Sequence, residues 1–332
     1  MVKVAMLSKW HVHASDYASQ LIKTGKVEIA AVWDEIEERG KTWAGELNAE
    51  FIGNMDALLS REDIQAVICG APTTMHREVL TAAAHAGKHI FTEKVLAVNT
   101  AEAEEIAAAV KKSGVLFVIS YPLRRDPLMC YAKSLCDKGF FGKIGMVRMR
   151  RSHSGITDGW LPDYWFDTSK SGGGAMMDLG AHPMYMLPWL CGTPKRIAGV
   201  FNNLYGTSSD ENAVVTIEFE NGAIGVGETS FISHNTPDLL EIYGSDATLL
   251  VWGQDIKMSI KKLKRVYEGY FRPDTEKTIT MQPDPITAFI DAVLEHKAPP
   301  SDLDIDSGVL VSRLMEAAYR SNRTGAIVPW GT

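Results

Sequence analysis

The segment GGGAMMDLGAH at residues 172–182 is the strongest candidate for chemistry, because it holds Asp178 and His182 four positions apart. On a helix, this spacing places both side chains on one face. A carboxylate that contacts one imidazole nitrogen fixes the tautomer and leaves the other nitrogen to act as a base. Pro183 is unfavourable inside a helix, because proline removes a backbone hydrogen bond. The alternative is that Pro183 opens a helix and that Asp178 and His182 lie on the turn before it. A purely structural pair is the alternative.

Glu93 and Lys94 follow a strand-like run at residues 89–92. In an open parallel sheet, the carboxyl ends of the strands face the ligand crevice. A lysine at that edge can donate a hydrogen bond to a reacting oxygen and assist proton transfer. The alternative is a solvated Glu-Lys pair on the surface.

Asp34 ends the apolar run VEIAAVW, about twenty residues beyond the first strand–helix junction. A carboxylate at that place accepts hydrogen bonds from the ribose hydroxyls of NAD and repels the 2′-phosphate of NADP. Glu35, Glu37 and Glu38 add negative charge, so the sequence predicts NAD as the cofactor. The alternative is that Asp34 caps a helix.

The loop after the first strand contains no glycine, whereas dinucleotide folds usually carry GxGxxG there. It holds Ser8, Trp10, His11 and His13. Helix N-terminal N–H groups can still bind a pyrophosphate, and the Ser8 hydroxyl can add a hydrogen bond. We assign Ser8, Trp10 and His13 to cofactor contacts, although the loop motif alone counts against a nucleotide site; substrate packing or a structural role is the alternative for Trp10 and His13. His11 and His13 offer two metal ligands, but no third ligand is evident, so we predict no metal site.

Residues 71–76 (APTTMH) follow another strand-like run and precede a helical pattern. Pro72 and the two threonines suit a tight turn and a helix N-cap. His76 either contacts the cofactor or completes the cap, and both alternatives remain open.

The first 120 residues must position these groups, and they alternate strand and helix patterns. Continuous apolar strands that alternate with helices indicate a parallel sheet covered on both faces, in a doubly wound nucleotide-binding fold. The predicted strands are residues 2–7, 27–33, 51–52, 64–70, 89–92 and 115–120, and the predicted helices are 13–24, 35–47, 55–59, 74–87 and 100–113, the last with Thr100 as N-cap.

After Pro122 the pattern changes to longer strands that alternate polar and apolar residues, which indicates a mainly antiparallel sheet with one face on the core. Glu220-Asn221-Gly222 predicts a hairpin turn. The strands are expected at 143–153, 195–205, 212–219, 223–231, 238–243 and 247–252, and the helices at 126–138, 285–296 and 306–322. We divide the chain into an α/β Rossmann domain at 1–121 and a second, α+β domain at 122–332, for substrate binding and oligomerisation.

Composition excludes several classes of function. The net charge is −7 without a basic block, so no nucleic-acid footprint is present. No run of eighteen apolar residues occurs, and residues 2–7 do not form a signal peptide. The four cysteines form neither a CxxC pair nor a zinc pattern, which is typical of reduced thiols in a cytoplasmic protein.

Several segments in order resemble the glucose–fructose oxidoreductase / inositol dehydrogenase (Gfo/Idh/MocA) family: AGKHIFTEK at 86–94, RRDP at 124–127, GGGAMMDLGAH at 172–182, FENG at 219–222 and EIYGSDATL at 241–249. The resemblance implies a Rossmann domain followed by an open antiparallel sheet that often mediates homodimers or homotetramers. It also implies a nicotinamide cofactor and a carbohydrate or polyol substrate.

By this resemblance, Lys94, Asp178 and His182 take the catalytic positions, and Asp34 takes the ribose-binding position. His13 corresponds to the histidine after the glycine loop, and Glu93 belongs to the cofactor side. The chain departs from the family at Val95, where proline is usual, and at Tyr185, where an aspartate often reads the substrate. The substrate-side candidates are Arg124, Trp160, Tyr164, Trp165 and Tyr185, and packing is the alternative for the aromatic ones.

The resemblance implies that His182, oriented by Asp178, removes the proton of a secondary hydroxyl while Lys94 hydrogen-bonds the same oxygen and a bound NAD accepts the hydride. Two other functions remain open. One is a glycosidase that retains NAD and oxidises its sugar transiently, and the other is a non-catalytic regulator that binds NAD.

Overall fold

The computed structural model describes residues 1–253, 255–262, 264–270 and 282–331. The chain divides into two units: residues 1–122 with 283–312, and residues 123–282 with 313–332. The sequence-based domains placed residues 283–312 in the second domain, and this assignment is wrong. The helix Pro285–Glu295 packs on the first unit, because most of its side chains are apolar and buried there.

The first unit contains a six-stranded parallel sheet of order β3-β2-β1-β4-β5-β6, which confirms the predicted doubly wound sheet. Its strands β1 and β4 are almost wholly buried, as expected of a sheet with both faces covered. The strands are β1 (Val2–Leu7), β2 (Val27–Trp33), β3 (Glu50–Phe51), β4 (Ala66–Cys69), β5 (His89–Thr92) and β6 (Phe117–Ile119).

Helices connect these strands, and their ends follow local sequence signals. Gly25 and Gly114 end their helices in the left-handed conformation. The helix at residues 100–113 is capped by Asn99, whose side chain accepts a bond from the backbone N–H of Glu102 at 2.9 Å, so the predicted cap Thr100 is wrong. The helices are α1 (Ala14–Thr24), α2 (Glu37–Leu47), α3 (Met55–Leu59), α4 (His76–His85), α5 (Thr100–Ser113) and α9 (Pro285–Glu295).

The second unit contains a nine-stranded sheet of order β14-β13-β12-β11-β7-β10-β9-β8-β15. Every pair is antiparallel except β7 with β10. The predicted hairpin at residues 220–222 joins β9 to β10, and β13, β14 and β15 were not predicted. The strands are β7 (Ile144–Ser152), β8 (Pro194–Asn202), β9 (Asn212–Phe219), β10 (Ile224–Ser230), β11 (Leu239–Gly244), β12 (Ala247–Trp252), β13 (Asp255–Ile260), β14 (Arg265–Tyr270) and β15 (Val328–Pro329).

One face of this sheet is covered, since α8 packs on β7 and β10 while β9 alternates buried and more exposed residues. The remaining helices are α6 (Pro127–Asp137), α7 (Thr168–Ser171), α8 (Ala181–Cys191) and α10 (Ile305–Thr324), the last of which belongs to both units. Within the described part of the chain, no helix combines the length and apolar character that crossing a membrane requires.

Candidate active site

Glu93 lies directly after β5 and is the centre of a buried hydrogen-bond network. Its Oε2 accepts a bond from the backbone N–H of Lys94 at 2.7 Å. Its Oε1 accepts a bond from the Tyr17 hydroxyl at 2.5 Å and lies 2.7 Å from Nδ1 of His13. The Tyr17 hydroxyl also lies 2.8 Å from Oγ of Ser120. This network fixes the backbone from which the Lys94 side chain extends.

The electrostatic environment keeps Glu93 ionised. Burial alone would raise the pKa of this carboxyl group, but the imidazole of His11, that of His13 and the ammonium of Lys94 together hold its pKa well below the usual range. Lys94 is itself buried, with 4% of its surface exposed. Because Glu93 and Lys94 are both buried, the structure excludes the alternative of a solvated Glu-Lys pair on the surface.

His76 holds the segment that follows Lys94. Its Nδ1 lies 2.9 Å from the carbonyl oxygen of Val95, and its Nε2 lies 3.1 Å from that of Ala71. Burial lowers the pKa of this histidine. Pro72 precedes a short 3₁₀ turn that leads into α4. His76 thus contacts the backbone that follows Lys94 and the backbone of the loop after β4, and the Lys94–Val95 peptide bond is cis.

The loop between β1 and α1 replaces glycine with a serine in a glycine-like conformation. Ser8 has φ 67°, in the left-handed region that glycine adopts freely. The Ser8 hydroxyl accepts a bond from the backbone N–H of Trp10 at 3.1 Å, and Trp10 is buried. Gly70 in the neighbouring β4 loop is required there, because a Cβ would lie 2.8 Å from the carbonyl oxygen of Ser8.

The loop N–H groups are largely used within the chain. Those of Lys9 and His11 donate to Asp34 and to the carbonyl of Gly70, and that of His13 donates to Nδ1 of His11. The first turn of α1 has no side-chain cap. Because the first N–H groups of a helix lack intrahelical partners, this turn is the part of the loop suited to an anion.

His11, His13 and Glu93 bring three potential ligand atoms within 4.8 Å of one another. The sequence revealed only the two histidines, because Glu93 follows eighty residues later than His13. Hydrogen bonds among these side chains account for their arrangement, and the absence of a metal site stays a prediction.

Asp34 follows β2 and is engaged by four donors. Its side chain is 0% exposed. The backbone N–H groups of Lys9 and Ile36 each donate to it at 2.8 Å. The guanidinium of Arg39 donates to both carboxylate oxygens at 2.7–3.1 Å and to Glu35 at 2.6 Å. Arg39 was not singled out from the sequence, although its position five residues after Asp34 on α2 was visible.

In the second unit, Asp210 shapes the glycine-rich turn that leads to Asp178. Its carboxylate accepts bonds from the N–H groups of Gly174 at 3.0 Å and Met176 at 2.7 Å, and its carbonyl accepts one from Ala175 at 2.8 Å. The hydroxyl of the half-buried Tyr319 donates to the same carboxylate at 2.8 Å. A Cβ on Gly174 would lie 1.9 Å from the Asp210 carbonyl oxygen, so only glycine fits at this position.

Asp178 lies on the turn before α8, and His182 is the second residue of that helix. Pro183 therefore lies in the first turn of α8, where proline is tolerated. Asp178 and His182 do not share one face of a helix, because Asp178 precedes α8. His182 is buried, and its Nδ1 lies 2.8 Å from the hydroxyl of Tyr185. Tyr185 also accepts a bond from the backbone N–H of Leu123 at 3.2 Å.

The substrate-side candidates divide by exposure. Arg124 is buried, donates to the carbonyl of Tyr185 at 2.5 Å and lies over the ring of Trp189. Trp165 is also buried, whereas Trp160 and Tyr164 have 54% and 39% of their surface exposed. The substrate role of these residues stays a prediction, and the contacts of Arg124 and Tyr185 are with the protein core.

A polar pocket of about 400 Å³ in the second unit was not predicted from the sequence. His153 lines it, stacks on Phe231 at 5.0 Å and packs against Trp160 at 4.5 Å. Burial lowers the pKa of His153, and the charge of Asp178 opposes that shift. The lining residues are Ser152, His153, Ser154, Ser233, Asn235, Thr236, Pro237 and Trp252.

Two family models match successive parts of the chain. Residues 7–121 match the model described as "Oxidoreductase family, NAD-binding Rossmann fold", and residues 129–250 match the "GFO/IDH/MocA C-terminal domain". The chain belongs to the Gfo/Idh/MocA oxidoreductase family. The predicted family and an NAD-binding Rossmann domain are thereby confirmed.

Relatives in the Gfo/Idh/MocA family include an uncharacterized oxidoreductase, YrbE, from Bacillus subtilis, which is 29% identical over 68% of this chain and 64% of its own length. Levoglucosan dehydrogenase from Pseudarthrobacter phenanthrenivorans is 27% identical over 58% of this chain and 57% of its own. Both matches span less than two thirds of the relatives' length. A solved structure of levoglucosan dehydrogenase with NADH and levoglucosan aligns over 100% of both chains with a TM-score of 0.86 and 20% identity, which shows the shared fold.

Proposed function

We propose that this chain is an NAD-dependent dehydrogenase that oxidises a secondary hydroxyl of a sugar, polyol or glycoside. Family membership supports oxidoreductase chemistry, and the name of one relative, levoglucosan dehydrogenase, supports a carbohydrate substrate. The observation that carries the proposal is the buried His182 imidazole, whose Nδ1 is held by the Tyr185 hydroxyl.

The hydrogen bond to Tyr185 bears directly on proton transfer. When Nδ1–H of His182 donates to the Tyr185 oxygen, Nε2 carries the lone pair that accepts a proton from the substrate hydroxyl. The half-buried Asp178 supplies negative charge four residues earlier, on a turn that Asp210 holds in place. We assign His182 as the general base and Asp178 as the group that favours its protonated form.

Lys94 has a separate task in the proposal. Its ammonium group would hydrogen-bond the substrate oxygen and stabilise the negative charge that develops there. The network around Glu93 positions the Lys94 backbone, and His76 holds the residues that follow. Bound NAD supplies the hydride acceptor, with Asp34 on the ribose and the first turn of α1 on the pyrophosphate.

The polar pocket beside His153 suits a carbohydrate. Hydroxyl and amide side chains line it, and the indole of Trp252, 55% exposed, offers an apolar face for a sugar ring.

The decisive experiment is incubation of the purified chain with NAD and a panel of sugars, inositols and glycosides that includes levoglucosan. We expect absorbance from reduced nicotinamide with at least one compound and a product two hydrogens lighter by mass. Release of a sugar from a glycoside without net NADH would instead favour an NAD-retaining glycosidase. NADH binding without turnover of any compound would favour a regulator.

Replacing Tyr185 by phenylalanine tests the orientation of His182. We expect kcat to fall by about threefold to tenfold, the effect of one lost hydrogen bond, with little change in KM. The exposed Tyr205 provides the matched control, since Tyr205→Phe should leave kcat unchanged. Unaltered kcat and an unaltered pH–rate profile in Tyr185→Phe would show that this hydroxyl does not orient the base.

A cytoplasmic location and assembly into a homodimer or homotetramer belong to the same proposal. All four cysteines are free in the structure, in keeping with a reducing compartment. Gel filtration with light scattering measures the assembly directly.

A further inference from the structure

The carboxylate of Asp34 has no lone pair left for a ribose hydroxyl in this arrangement. A carboxylate offers about four acceptor positions. The backbone N–H of Ile36 and Nη2 of Arg39 occupy Oδ1, at 2.8 and 2.7 Å. The backbone N–H of Lys9 and Nε of Arg39 occupy Oδ2, at 2.8 and 2.9 Å.

Only the two Arg39 donors can leave without moving the backbone. The N–H groups of Lys9 and Ile36 belong to the loops that follow β1 and β2, whereas the Arg39 donors are at the end of a long side chain on α2. A ribose hydroxyl that binds Asp34 must therefore displace part of the Arg39 guanidinium.

Arg39 also changes the charge of this region. Asp34 and Glu35 alone would repel a 2′-phosphate, which is the basis on which the sequence favours NAD. The guanidinium bonds both carboxylates, and its Nη2 lies 3.3 Å from Oγ of Ser8 in the β1 loop. It thus places a planar set of donors, suited to phosphate, beside the carboxylate that suits a ribose.

We propose that Arg39 lets this chain bind NADP(H) as well as NAD(H), by releasing Asp34 to the ribose of NAD or by pairing with the 2′-phosphate of NADP. This inference rests on the proposed dehydrogenase function. It assigns cofactor selectivity to a residue outside both the loop between β1 and α1 and the acidic position after β2.

The test is direct binding of NADH and NADPH to the whole chain. Binding is measured by energy transfer from tryptophan to the reduced nicotinamide. For the unmodified chain we expect dissociation constants within about tenfold of each other. In Arg39→Gln, NADPH should bind about tenfold or more weaker because charged hydrogen bonds to the phosphate are lost, whereas NADH should change by less than about threefold. For Arg39→Lys we expect an NADPH dissociation constant between that of the unmodified chain and that of Arg39→Gln. Lysine keeps the positive charge but lacks the planar set of donors of the guanidinium.

Arg61→Gln is the matched control, since Arg61 pairs with Asp63 and Glu50 elsewhere on the first unit. It should leave both dissociation constants unchanged. Circular dichroism of each variant establishes that it is folded. Binding of NADPH about a hundredfold weaker than NADH by the unmodified chain, or equal weakening of both cofactors in Arg39→Gln, would overturn the inference and leave the dehydrogenase proposal standing. Failure to bind either cofactor would overturn both.

Discussion

Replacing His182 by alanine should lower kcat by about a hundredfold to ten-thousandfold, the usual contribution of a positioned general base. The imidazole is buried and held through Nδ1 by Tyr185, so no neighbouring solvent group can readily substitute for it. The measurement is steady-state turnover with the compound that the substrate panel identifies, alongside NADH binding to the same preparation.

NADH binding should be retained in His182→Ala, because the cofactor contacts proposed here lie on the first unit and His182 lies on the second. His85→Ala is the matched control, since His85 is exposed near the end of α4. Full turnover by His182→Ala with retained NADH binding would remove His182 from the mechanism and return Asp178-x3-His182 to a structural pair.

The Rossmann sheet could be predicted because its signals are local. The strands at residues 2–7 and 27–33 are apolar runs broken only by Lys3 and Glu28, and the structure has the same bounds for both. Such runs indicate a sheet covered on both faces, and helices that alternate with them permit few topologies. The strand order β3-β2-β1-β4-β5-β6 was not predicted and comes from the structure.

The partners of the site residues could not be predicted, because they come from distant parts of the chain. Asp210 contacts Gly174 across 36 positions, and Glu93 contacts His13 across 80. Periodicity and spacing describe neighbours within one element, whereas these contacts depend on the tertiary fold. The assignment of residues 283–312 failed for the same reason: their helical pattern was recognised, but nothing local shows which unit buries α9.

Asp34 illustrates a different limit. Its type and position were sufficient to predict a role at the ribose end of a dinucleotide site. Its charge was then counted as if it were alone, whereas Arg39 neutralises part of it and occupies its oxygens. The choice between NAD and NADP depends on all the charges and hydrogen-bond donors in the folded site. A motif residue considered without its contacts therefore predicts a dinucleotide, but not which of the two similar dinucleotides binds.

The glycine-rich turn gives the second large expected effect. Gly174→Ala places a Cβ 1.9 Å from the carbonyl oxygen of Asp210 and within 3 Å of two further backbone atoms of that residue. Because backbone atoms cannot move aside like the end of a flexible side chain, the turn must separate from Asp210. We expect a loss of about 3 kcal/mol in the free energy of unfolding. A fall in kcat should accompany it, since Asp178 follows Gly174 by four residues on the same turn.

Guanidinium unfolding followed by circular dichroism measures the first effect, and turnover with the identified substrate measures the second. Gly45→Ala is the matched control: Gly45 lies in α2 with no atom within 4 Å of an added Cβ, so alanine should raise helix stability by about 0.5–1 kcal/mol. If the free energy of unfolding falls in Gly174→Ala and rises in Gly45→Ala, the cost of the clash is separated from the general effect of replacing glycine by alanine. If Gly174→Ala has the same free energy of unfolding and the same kcat as the unmodified chain, the Asp210 backbone moves aside at little cost. Asp210 is then not what holds Asp178 in position.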